Sequence, residues 1–84
     1  MGKLKVELVS PEKRVWSGEA TQISARTLDG DLGILPGHTP LLGVLVDGFV
    51  SIKGVDGTVS EFNVHGGFLS VAKDRVSILG ESTD

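Results

Sequence analysis

The chain has 84 residues, a net charge of −3 and a pI near 5.2. One domain of this size buries only roughly 60–65% of its unfolded surface, which argues against a deep substrate cavity. The acidic balance argues against a nucleic-acid partner, because phosphate binding needs a basic surface.

The composition excludes more. There is no Cys, so disulfides and thiolate metal sites are ruled out. No apolar run approaches the ~20 residues of a membrane span, and Met1-Gly2-Lys3-Leu4 leads straight into a strand pattern with no signal peptide visible. Membrane association is therefore expected only through a partner.

Leu4-Lys5-Val6-Glu7-Leu8-Val9 alternates apolar and charged residues, the period-2 pattern of a half-buried strand. Ser10-Pro11-Glu12-Lys13 breaks it with turn chemistry. Arg14 to Ser17 reads as a short strand ended by Gly18, with Trp16 as a core or interface anchor. Thr21 to Thr27 alternates again, and Asp29 to Leu35 closes a hairpin through a glycine tip.

Leu41 to Val46 is a continuous apolar run ended by Asp47-Gly48. Phe49 to Lys53 and Thr58 to His65 are strands joined by Gly54-Val55-Asp56-Gly57, a hairpin signal. Gly66-Gly67 permits a sharp bend, and Phe68 to Val71 and Val76 to Leu79 form a last hairpin around Lys73-Asp74. Short strands with recurrent turns predict an all-β fold, a flattened antiparallel sandwich or barrel of about ten strands in a single domain over 1–84.

Chemistry is sparse. Asp29-x-Asp31 fails as a calcium loop, since Ile34 and Pro40 stand where Gly and Glu are needed. No P-loop or nucleophile elbow occurs. His38 and His65 lack carboxylates at metal spacing and read as structural. Lys73 sits in a hairpin as the modified lysine of lipoyl and biotinyl carrier domains does, but no internal repeat flanks it. An OB-like binding module would need more aromatic residues than one Trp and three Phe. No cofactor, metal or catalytic residue is expected.

The stretch Gly30-Asp31-Leu32-Gly33-Ile34-Leu35-Pro36-Gly37-His38-x-Pro40-Leu41-Leu42 resembles the signature of the epsilon subunit of bacterial and chloroplast F-type ATP synthases. Val6-Glu7-Leu8-Val9-Ser10-Pro11, Trp16-Ser17-Gly18 and His65-Gly66-Gly67-Phe68-Leu69-Ser70-Val71 resemble the family's flanking segments. The resemblance implies a ten-stranded sandwich and a non-catalytic central-stalk role, coupling proton-driven rotation to ATP synthesis. It implies two partners, the gamma subunit and the membrane c-ring, at the cytoplasmic face of the bacterial membrane and without direct insertion.

It implies that the tip Asp29, Gly30, Asp31 and Leu32 faces the c-ring. Ser10, His38, Pro40, Leu41, Leu42 and Gly43 are implied to face gamma. The family's C-terminal helical pair, which can inhibit hydrolysis, has no counterpart after Asp84, so its inhibitory function is not expected here.

One expectation comes from the residues themselves. In a strand over 41–46, Leu41 and Leu45 point one way and Leu42, Val44 and Val46 the other. Both faces are apolar, whereas a strand with one solvated face alternates. One set must meet the core, and the other needs a cover from the chain's own loops or from a partner.

Overall fold

A computed structural model describes residues 2–81. Asp84, with the expectation about the helical pair, lies outside the described residues. The strands are β1 (Leu4–Val9), β2 (Arg14–Thr27), β3 (Gly30–Ile34), β4 (Leu41–Leu45), β5 (Gly48–Gly54), β6 (Val59–Val64), β7 (Gly67–Ala72) and β8 (Arg75–Gly80). They form one eight-stranded sheet folded on itself, with extents of 32 × 24 × 17 Å. The first leaf runs β4-β7-β8-β1 and closes on the N-terminal half of β2. The second runs β3-β2-β5-β6, using the C-terminal half of β2.

Two details differ from the sequence-based expectation. There are eight strands among the described residues rather than about ten, because Arg14–Thr27 is one 14-residue strand that Gly18 does not end. A Cβ at Gly18 would meet the Trp16 ring at 3.3 Å, so the glycine is where the indole lies against the strand. A register shift between Ala20 and Gln22 separates the inward Ala20 from the inward Ile23, Ala25 and Thr27. That bulge lets one strand serve both leaves. The sheet is also not wholly antiparallel, since β1 pairs with β8 in parallel. A parallel pair needs a long crossover, and here the whole intervening chain supplies it.

The leaves close on one apolar core. Leu4, Val6 and Leu8 alternate inward from β1, Leu69 and Val71 from β7, and Val76 and Ile78 from β8. Ile23, Ile34, Val50, Ile52 and Val64 meet them from the second leaf. Trp16 packs against this core only in part. No described side-chain nitrogen or oxygen is buried without a hydrogen-bond partner.

Candidate functional site

The segment between β3 and β4 is a shaped loop. His38 N donates to the Leu35 carbonyl at 3.1 Å, closing a turn with Pro36 and Gly37 at its centre. Pro36 presets one turn dihedral, and Gly37 at φ 88° occupies a position L-residues avoid, the pattern of a type II turn. The His38 Nδ1 lies 2.6 Å from the Thr39 carbonyl oxygen, so it carries the hydrogen that donates to it. His38 is thus a half-buried loop histidine tied to its own backbone.

The β2–β3 tip is built around Thr27. Its hydroxyl donates to the Gly30 carbonyl at 3.0 Å and accepts from the Asp29 amide at 3.2 Å. Leu28, Asp29, Gly30 and Asp31 project into solvent beyond it. Arg26 Nε meets Asp31 Oδ1 at 3.1 Å across the hairpin. Asp29 makes no ion pair among the described residues, so the tip is acidic with a single apolar side chain, Leu28. Leu32 turns inward and packs against the core.

β4 answers the question of faces. Leu45 is 4% exposed and Leu41 packs partly against the core, whereas Leu42 is 74% exposed and Val44 also faces solvent. The chain's own loops do not cover Leu42. Val44 lies opposite Phe68, Phe68 opposite Leu79, and Leu79 beside Val9. Leu28 joins from the other side, its amide donating to the Val44 carbonyl at 3.0 Å. An apolar row therefore crosses the first leaf from the acidic tip to the β1–β2 turn.

The implied gamma-facing residues do not form one cluster. His38 and Pro40 sit at the end of the first leaf where β7 turns into β8, since Gly37 N donates to Asp74 Oδ1 at 2.7 Å. Ser10 lies at the opposite end, following Val9 at the level of Leu79. Leu42 is on the outer face between them, while Leu41 and Gly43 point inward, Gly43 over the Thr27 methyl. Sequence reasoning missed Leu28, Phe68 and Leu79. A usable signal was present for Leu79, where Ile78-Leu79 sets two large apolar residues side by side in an alternating strand.

No group of three or more His, Asp, Glu or Cys side chains able to hold a metal occurs among the described residues. Lys73 is exposed at the hairpin apex with φ 51°. The sites available for chemistry are surfaces.

Residues 3–83 match the family described as ATP synthase, Delta/Epsilon chain, beta-sandwich domain. The chain belongs to this family. As a delta/epsilon β-sandwich chain it is 52% identical over 82 residues to the ATP synthase epsilon chain of Micrococcus luteus, covering 98% of this chain and 90% of that one. It is 54% identical over 85 residues to that of Rhodococcus erythropolis, spanning all of this chain and 70% of the relative. The delta/epsilon fold also recurs at low identity. A chain of the Euglena gracilis mitochondrial ATP synthase OSCP/F1/c-ring structure superposes with TM-score 0.93 at 21% identity, covering 100% of this chain and 54% of that one. A chain of the Tetrahymena thermophila mitochondrial ATP synthase central stalk/c-ring structure gives 0.80 at 23%, covering 99% and 66%.

Proposed function

We propose that this delta/epsilon-family chain is a non-catalytic rotor subunit of an F-type ATP synthase. The outer face of the first leaf holds the gamma subunit, and the β2–β3 tip rests on the polar loops of the c-ring. Rotation of the ring then passes through the sandwich to the stalk, while ATP chemistry takes place on other subunits. The complex keeps the chain at the cytoplasmic face of the bacterial membrane.

The observation that carries this reading is the exposed apolar side of β4 and its neighbours. A leaf that buries one face in the core and presents Leu42, Val44 and Phe68 on the other is built to be covered. The tip adds a projecting acidic hairpin beside β4 at the edge of that leaf, so a single rigid body can touch two partners. Family membership supports the assignment, because the relatives are named as chains of an ATP synthase.

Two measurements test it. The purified chain should form a one-to-one complex with the gamma subunit. In the assembled enzyme, cysteines at Asp31 and in a c-subunit polar loop should cross-link. Failure of every pair around the tip would refute the c-ring contact, and absence of a gamma complex would refute the docking face.

A further inference from the structure

The chain carries three Asp-Gly steps, at Asp29-Gly30, Asp47-Gly48 and Asp56-Gly57. Such a step has a reaction of its own. The glycine amide nitrogen attacks the aspartate side-chain carboxyl carbon, and the new C–N bond closes a five-membered succinimide. The amide proton and the carboxyl hydroxyl leave as water. A second water then opens the ring at either carbonyl, giving back aspartate or giving isoaspartate, whose backbone runs through the side-chain carbon. Glycine favours the closure because it has no Cβ to crowd the attacking nitrogen. In sequence the three steps are equivalent, and the fold separates them.

Asp47 is held back by the sheet. Gly48 opens β5 opposite Val64, and a Cβ there would lie 3.6 Å from the Arg26 Cβ, so this backbone is paired and covered. The Asp47 carboxylate also faces His65 Nδ1 at 3.9 Å. Asp56 is held back by its own turn. Its carboxylate accepts from the Thr58 amide at 2.9 Å, which ties it to the chain beyond Gly57. The same bond favours the ionised carboxylate, the poorer electrophile. Asp29 has neither restraint. Its amide donates to the Thr27 hydroxyl at 3.2 Å, but its carboxylate has no hydrogen bond or ion pair among the described residues. A Cβ at Gly30 would meet nothing within 4 Å, so the space the ring needs is open. Both residues lie in solvent.

We propose that Asp29 is a modification site, where the tip isomerises to isoaspartate and becomes a substrate for an S-adenosylmethionine-dependent isoaspartyl carboxyl methyltransferase. The methyl group passes from the donor's sulfonium to an oxygen of the new free carboxylate, leaving the donor as a thioether. Attack by the glycine nitrogen on that ester expels methanol and restores the succinimide, which water can reopen to aspartate. The isomer adds one methylene to the backbone between Asp29 and Gly30. Thr27 bonds to both residues, so the added length disturbs the turn that shapes the tip. The inference is independent of which partner the tip touches.

The test ages the purified chain in warm, near-neutral buffer, folded and in guanidinium chloride, until the denatured sample has reacted. Purified isoaspartyl methyltransferase with labelled S-adenosylmethionine counts the isoaspartate, and peptide mapping assigns it. In the folded chain Asp29 should isomerise about fivefold or more faster than Asp56, the factor set by one hydrogen bond that must break first. Asp47 should be slower than Asp29 as well, and in the denatured chain the three rates should converge. Asp29→Glu should abolish most methyl uptake by the folded chain, because the larger ring closes far more slowly. Circular dichroism checks that this exposed substitution leaves the fold intact. Isoaspartate spread evenly over the three steps, concentrated at Asp47 or Asp56, or missing from Asp29 in the folded chain would overturn the proposal. Undiminished methyl uptake in Asp29→Glu would overturn it too.

Discussion

The Asp74 carboxylate accepts a hydrogen bond from the Gly37 amide at 2.7 Å, joining the β7–β8 turn to the loop that carries His38. The same residue's carbonyl accepts from Lys5 N at 2.8 Å. Asp74 therefore ties β1, β8 and the β3–β4 loop at one end of the first leaf. Asp74→Ala should leave the backbone bond to Lys5 but free the Gly37 amide, and hydrogen exchange at Gly37 and His38 should accelerate. A charge-assisted bond of this kind contributes about 1–2 kcal/mol when well ordered and less when exposed. Unchanged exchange at Gly37 would refute the latch.

Lys73 and Asp74 both hold positive φ, 51° and 60°, as the two central residues of a type I′ hairpin do. Lysine tolerates that region poorly, and asparagine tolerates it well. Lys73→Asn should raise stability by roughly 0.5–1 kcal/mol in urea unfolding. It keeps the Asp74 latch. A loss of stability would contradict the turn assignment.

The two faces of β4 predict opposite outcomes for one chemical change. Leu45→Asp buries an unpaired carboxylate and should unfold the chain, at a cost of several kcal/mol. Leu42→Asp changes a residue that is already in solvent, so stability should move by no more than about 0.5 kcal/mol. The same Leu42→Asp chain should bind gamma more weakly. Circular dichroism with calorimetry separates the outcomes.

Gly67 has no room for a side chain. At φ 129° its backbone is in a region L-residues rarely adopt, and a Cβ there would run into the Leu79 carbonyl oxygen. Backbone cannot step aside as a flexible side chain can. Gly67→Ala should destabilise by about 2–4 kcal/mol, combining backbone strain with overpacking. Gly57 offers a control, since it also has positive φ but a Cβ there would meet nothing within 4 Å, and its alanine variant should cost less.

Asp56 predicts a pH effect. Its carboxylate accepts from the Thr58 amide at 2.9 Å. That bond, aided by the Thr58 hydroxyl, holds its pKa below the ordinary carboxylate value. Folding thus favours the ionised form, and the unfolded chain binds more protons on the acid side. The contribution is complete above the unfolded value of about 3.9 and is lost as pH falls through the folded value. Asp56→Asn should lower the urea midpoint at pH 6, with the gap to wild type narrowing as pH drops below 4. A gap that widens on acidification would reverse the sign and refute the assignment.

Much of this architecture is local and could be read without coordinates. Strand alternation at Leu4–Val9, the Gly54–Thr58 hairpin and the Pro36-Gly37 turn arise from side-chain period and from φ values that only particular residues adopt. The acidic tip was legible for the same reason, because Asp-Gly marks a turn wherever it falls. The sequence also showed that Leu41 to Val46 had one apolar face too many. It could not say which.

That choice belongs to pairing between distant segments. Leu45 points inward because β4 lies between β7 and the end of β2, and a shift of one residue would have exchanged the two faces. The bulge at Ala20–Gln22, the parallel match of β1 with β8, and the apolar row built by Leu28, Val44, Phe68, Leu79 and Val9 have the same origin. Each depends on register between strands remote in the chain, and a local period of two carries no record of the neighbour it will meet.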